Sequence, residues 1–178
     1  TGQNLSLAAG TNLDFVAQRD TNQTSGRRWL HNVGQHMSLF VNGVKEKISL
    51  KLIAAQGKVQ MQAQAGNIGN AATIASGTGA DVLLTADSNI VNSGAIGSGR
   101  LVSFAAGSNI SNTAAITAVD SITMTAGNDI NNSDMLTAGS SVILTAGNDI
   151  GNTAAITAAE AITMEAASDI TSDGTLTA

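Results

Sequence analysis

From Val82 onward, apolar and polar residues alternate in short runs, and the runs return every twenty residues. The blocks GAIGSGRLVSFAAGSNISNT, AAITAVDSITMTAGNDINNS, DMLTAGSSVILTAGNDIGNT and AAITAAEAITMEAASDITSD follow one another without a slip and end in GTLTA. Apolar columns run down them: Ile96, Ile116, Leu136, Ile156 and Leu176; Val82, Val102, Ile122, Val142 and Ile162; Leu84, Phe104, Met124, Leu144 and Met164; Ile90, Ile110, Ile130, Ile150 and Ile170. Within a block such as Ile122-Thr123-Met124-Thr125-Ala126, apolar positions are two apart, the period of a strand with one buried face. Ala-Gly-Asn-Asp and Asn-Asn-Ser interrupt the runs, and there Gly and Asn accept left-handed backbone angles at little cost. The pattern predicts strand, turn, strand, turn throughout.

A fixed period near twenty with several short strands in each repeat is the mark of a chain coiled into a parallel β-helix. Each repeat is then one coil, and coils stack at the inter-strand spacing of about 4.8 Å. Each apolar column becomes an internal ladder, of which Ile110, Ile130, Ile150 and Ile170 form one. Asn92, Asn112, Asn132 and Asn152 fit an amide ladder, each side chain bonding to those above and below. Twenty is not a multiple of six, which favours a right-handed helix over the left-handed hexapeptide type. Two residues more separate Ile74 from Val82 than Ile96 from Val102, and Gly77-Thr78-Gly79 is the expected bulge that absorbs them.

Charge divides the chain. Up to Gly66 there are seven Lys/Arg and three acids, a net charge of +4; from Asn67 onward there is one Arg against ten acids, a net charge of −9. Such asymmetry points to two modules, and no Pro- or Ser-rich linker separates them. Cysteine is absent, which excludes disulfides, thiolate metal sites and cysteine nucleophiles. With one Trp, three Phe and no Tyr, the core must be built from small and medium side chains. No apolar run is long enough to span a bilayer. The opening Thr1-Gly2-Gln3-Asn4 has neither a basic start nor an apolar stretch, so the chain is expected to be a fragment of a longer protein.

Two resemblances attach to these modules. The run from Asn4 to Gly66, above all RDTNQTSGRRWLHNVGQHMSLFV and LKLIAAQGKVQMQAQ, resembles the carboxy-terminal β-prism region of VgrG, the spike protein of type VI secretion systems. That resemblance implies a homotrimer through residues 1–66, a narrow needle fired through a target envelope, and a PAAR-type tip protein or an effector as partner. Residues 67–178, with AGNDINNS, AGNDIGNT and LTAGSSVILTAGNDI, are similar to the repeats of filamentous haemagglutinin-type exoproteins. There the implication is a right-handed β-helix exported through an outer-membrane partner and displayed as an adhesin or toxin-delivery stalk. Both place the protein outside the cytoplasm, in a bacterial secretion apparatus or at the cell surface. Leu5-Ser6-Leu7-Ala8-Ala9-Gly10 lies on the template of Ile122-Thr123-Met124-Thr125-Ala126-Gly127, so a natural fusion and a built chimera would look alike.

Candidate chemistry is thin. Arg27, Arg28 and Trp29 with His31 and His36 form the one cluster where basic, aromatic and titratable residues meet, but no carboxylate or third ligand falls near. Arg27, Arg28, Trp29 and Phe40 read instead as a loop anchor or subunit contact. An Arg pair beside Trp also suits nucleic acid, and the net charge of −5 argues against that partner. Asp129, Asp149 and Asp169 share a column with Asn89 and Asn109, stacking like charges about 5 Å apart. Either the carboxylates splay into water or a cation such as Ca²⁺ sits among them. A sugar-cleaving site would need aromatic platforms and an asymmetric acid pair, which the repeats lack. The expectation is an all-β needle, β-prism running into parallel β-helix, with no catalytic site and no cofactor. Its role is mechanical: a type VI spike shaft, or alternatively an exoprotein stalk.

Overall fold

The computed structural model describes residues 57–63 and 66–178 in full and, before residue 57, the backbone of six strands: Leu5–Ala9, Asn12–Ala17, Trp29–Val33, His36–Val41, Glu46–Ile48 and Lys51–Ala54. Every strand pairs in parallel with the strand one coil away, and the coils build three sheets of 9, 8 and 7 strands. One coil gives one strand to each sheet, as in Ile116–Ala118, Ile122–Ala126 and Ile130–Asn132, followed by Leu136–Ala138, Ser141–Ala146 and Ile150–Asn152. The result is a β-solenoid, the fold class that the twenty-residue period predicts.

Register keeps like residues in line. Ile96 pairs with Ile116, Ile116 with Leu136, and Leu136 with Ile156. Earlier coils are longer, since Asn12 pairs with His36, Val59 with Val82, and Ile74 with Ile96. The surplus is taken up at corners, and strand pairing stays in step on either side. Between Ile74 and Val82 the register shifts opposite Gly97 and Gly99, and Gly79 takes φ +69°, so the expected bulge at Gly77-Thr78-Gly79 is present. At Gly66 the charge changes sign while the pairing continues: His36–Val41, Val59–Ala63 and Val82–Ala86 are successive strands of one sheet.

Burial follows from alternation. In Val82–Ala86, Val102–Ala106 and Ile122–Ala126 the first, third and fifth residues point inward and stack on their counterparts. Phe104, the bulkiest, lies between Leu84 and Met124 in its ladder and is fully buried. Ile90, Ile110, Ile130 and Ile150 form a closed ladder. Ile170 departs from the expectation: on the last coil it is 47% exposed. Hydrogen bonds continue round the corners, where Asn128 N–H donates to Ser108 C=O at 2.8 Å and Asn148 N–H to Asn128 C=O at 2.9 Å.

The glycines of the Ala-Gly-Asn-Asp turns correct one expectation. Among the described glycines only Gly79 has positive φ. A Cβ on Gly107, Gly127 or Gly147 would instead run into the carbonyl oxygen of Asp87, Gly107 or Gly127, one coil back. At these three positions successive backbones approach too closely for a side chain, while Asp87 and Ala167 hold the same place on the coils to either side.

Candidate functional site

Each strand of the 7-stranded sheet from Ile68–Asn70 to Ile150–Asn152 ends in an asparagine, and these asparagines turn inward. Asn70 Nδ2 donates to Asn92 Oδ1 at 2.7 Å, Asn92 to Asn112 at 2.7 Å, Asn112 to Asn132 at 2.8 Å and Asn132 to Asn152 at 2.7 Å. All five side chains are at most 2% exposed. The ladder closes at its ends on local groups: Ala72 N–H donates to Asn70 Oδ1, and Asn152 Nδ2 donates to Ala154 C=O and Ser172 Oγ. The Asn92, Asn112, Asn132 and Asn152 ladder read from sequence is therefore present and reaches one coil further, to Asn70. Period alone hides that member, because the coil from Asn70 to Asn92 is two residues longer.

At the other end of the same strands stands the column Asn67, Asn89, Asn109, Asp129, Asp149 and Asp169. Here each side-chain Oδ1 accepts the backbone N–H of the next member, at 3.0 Å for Asn67, 3.1 Å for Asn89 and Asn109, 3.3 Å for Asp129 and 3.0 Å for Asp149. Asn148 Nδ2 also bridges Asp129 Oδ1 at 2.8 Å and Asp149 Oδ2 at 3.1 Å. The Asp129 and Asp149 carboxylates thus each accept an N–H donor of the coil ahead. Among the described residues no group of three or more His, Asp or Glu side chains converges as a metal site.

The corner after the 9-stranded sheet carries an ion pair between Arg100 and Asp81. Arg100 donates from Nε to Asp81 Oδ1 at 2.7 Å and from Nη2 to Asp81 Oδ2 at 2.5 Å. The hydrogen bond from Arg100 holds the Asp81 carboxyl below its ordinary range against the opposing effect of burial, and the Arg100 guanidinium is raised in turn. Beneath it, Ser98 Oγ lies 2.9 Å from Ala80 C=O and 2.8 Å from Leu101 C=O, and Ser76 Oγ donates to Ala80 C=O at 2.7 Å. These hydroxyls serve backbone groups at the bulge; their bonds go to no acid or base that would make either a nucleophile.

On the outer face beside this corner is a notch of about 360 Å³ lined by Ala75, Ser76, Thr78, Gly97, Thr117 and Val119. Sequence reasoning missed it. Its signal is the outward column Ala75, Gly97, Thr117, Thr137, Thr157, in which the threonine row gives way to small residues.

Arg27 and Arg28 lie outside the described residues. Trp29 and Phe40 are placed by backbone alone, Trp29 in register with Leu5, and Phe40 with Val16 and Gln62. Among the described residues no helix is long and apolar enough to cross a membrane.

Residues 1–103 match the model of a family described as an uncharacterized protein conserved in bacteria, DUF2345. The match covers more than half of the chain, crosses Gly66 and ends inside the strand Val102–Ala106. No curated protein and no solved structure matches the chain.

Proposed function

The chain belongs to the bacterial DUF2345 family, and on that premise we propose that it is a non-catalytic rigid shaft of a type VI secretion spike, with the likeness of residues 1–66 to VgrG as the reason for that apparatus. The observation that carries the mechanical reading is the continuity of bonding along the axis. Backbone ladders, the inner amide ladder and the outer side-chain ladder all run from coil to coil, so bending the rod strains many hydrogen bonds at once. From Val59 to Ala158 the core is enclosed by a single chain, with Val59, Met61, Val82 and Leu84 at most 1% exposed. Closure within one chain is what a haemagglutinin-type coil implies, whereas the VgrG resemblance implies three chains wrapped together, so the homotrimer of the shaft reading rests on residues 1–66 alone. Assembly of three copies through residues 1–66 joins shafts already formed, and a tip protein or effector is the cargo.

A cell-surface stalk is the second reading, favoured by the haemagglutinin-like repeats of residues 67–178. Export separates the two. In a bacterium with a type VI apparatus, the chain reaches the medium only while that apparatus works. Export that survives loss of the apparatus and stops with loss of an outer-membrane export partner overturns the shaft and favours the stalk.

A further inference from the structure

Between Val59 and Ala178 the one lysine or arginine is Arg100. Endopeptidases of the trypsin class cut after such a residue, drawing its side chain into a pocket that carries an aspartate. We propose that Asp81 holds the Arg100 guanidinium in that aspartate's stead, so that Arg100–Leu101 is a masked cleavage site and the rod resists these enzymes along its length.

The corner is a place that needs a mask. Arg100 sits in a bend just past the strand Ile96–Gly99, and its side chain is 56% exposed. Gly97 stands where the next coil has Thr117, and glycine holds a strand less firmly than a residue with a side chain. The notch outside, which Ser98 and Gly99 also line, leaves room for an approaching enzyme. Cutting a folded chain requires local opening, and these features make opening easier here.

Asp81 opposes it from the coil before. Its two oxygens take Arg100 Nε and Nη2, and Oδ1 also accepts the Leu101 N–H at 3.3 Å, the amide nitrogen of the bond at risk. Arg100 C=O accepts the Asp120 N–H at 2.9 Å, and Leu101 C=O accepts the Val82 N–H at 2.9 Å. Hydrolysis would add water across this bond, leaving a carboxylate on Arg100 and an amine on Leu101. To begin it, a serine peptidase needs the guanidinium in its pocket and the Arg100 carbonyl oxygen among its own N–H donors. Both groups are already committed to neighbouring coils. Further along the rod the hazard and the mask are gone together. Asp120, Ser140 and Glu160 follow Arg100 in a column of N–H to C=O bonds, and Leu101, Ser121, Ser141 and Ala161 follow Asp81 at the repeat spacing.

Trypsin digestion of the whole chain under native conditions reads the site as the rate at which the piece 101–178 appears, identified by mass. That rate should be slow in the parent and about tenfold faster in Asp81→Ala, as loss of charge-assisted bonds enlarges the open population. Asp81→Asn keeps an oxygen for the Leu101 N–H and gives Arg100 no counter-charge, so its rate should fall between the two. Cuts before Val59 are open to all three chains and cancel in the comparison. Chymotrypsin, which takes apolar side chains, should digest the three alike. A parent cut at Arg100 as fast as Asp81→Ala overturns the proposal. It is overturned equally if chymotrypsin digests Asp81→Ala about tenfold faster, since the substitution then loosens the rod instead of uncovering Arg100. Neither readout involves export, so failure here leaves the shaft reading standing and failure there leaves the mask standing.

Discussion

The inner asparagine column and the outer Asn/Asp column bracket the same strands of the 7-stranded sheet and use almost the same side chains for different work. Inside, amide bonds to amide where no water can substitute, so every member needs both a donor and an acceptor. Outside, one side-chain oxygen serves the N–H of the coil ahead, and the other end of the side chain is irrelevant to that bond. Carboxylate therefore replaces amide at Asp129, Asp149 and Asp169, whereas the inner column is asparagine from Asn70 to Asn152. Burial, rather than residue chemistry as such, decides which column tolerates a change.

Breaking the inner column should have the largest effect. Asn112→Ala strands the Asn92 amide donor and the Asn132 carbonyl acceptor, and should cost about 2–5 kcal/mol in urea unfolding. Asn112→Asp keeps the shape but buries a charge; it should be the worse variant at neutral pH and recover as acid protonates the carboxyl, since burial raises that group's pKa. Next comes the glycine seam beside the outer column, where Gly127→Val puts methyl groups against the Gly107 carbonyl oxygen and should cost about 1–3 kcal/mol by the same measurement. The outer column itself should yield less: about 0.5–1.5 kcal/mol for Asp149→Ala. Asp149→Asn, which retains the accepting oxygen and removes repulsion from Asp129 and Asp169, should be neutral or stabilising. An Asp149→Asn loss as large as that of Asn112→Ala would erase the distinction between the columns.

The smallest effect belongs to Asp81 and Arg100, and it depends on pH. Because the folded Asp81 carboxyl is held below the ordinary value of 3.8, its contribution is present in full above that value and is lost as pH falls through the lower folded one. Arg100→Met should therefore be less stable than the parent at neutral pH and converge with it in strong acid, as unfolding curves at the two pH values would show.

The repeat made the fold legible because in a solenoid one period fixes strand, register and burial together. Columns such as Ile110, Ile130 and Ile150 could be drawn without coordinates, and the bulge at Gly77 to Gly79 could be found by counting. What escaped were contacts between one coil's side chains and the next coil's backbone. Sequence columns align like with like, so Asp129 appeared to face only Asp149; that its oxygen meets the Asp149 N–H is invisible in such an alignment. The glycines of the turns were misread for the same reason, their constraint lying in a carbonyl one coil back rather than in their own φ. The notch went unseen because Gly97 and Ala75 looked like ordinary small residues until the threonine row around them was in place.

The in-step stacking of the later coils also bears on heredity. Thr125 to Ile130 and Thr145 to Ile150 are identical hexapeptides one coil apart. Unequal recombination between the DNA segments that encode them would add or delete a whole coil while leaving every ladder in phase. Reach is thus a trait that lineages can lengthen or shorten in single steps, without passing through an unfolded intermediate.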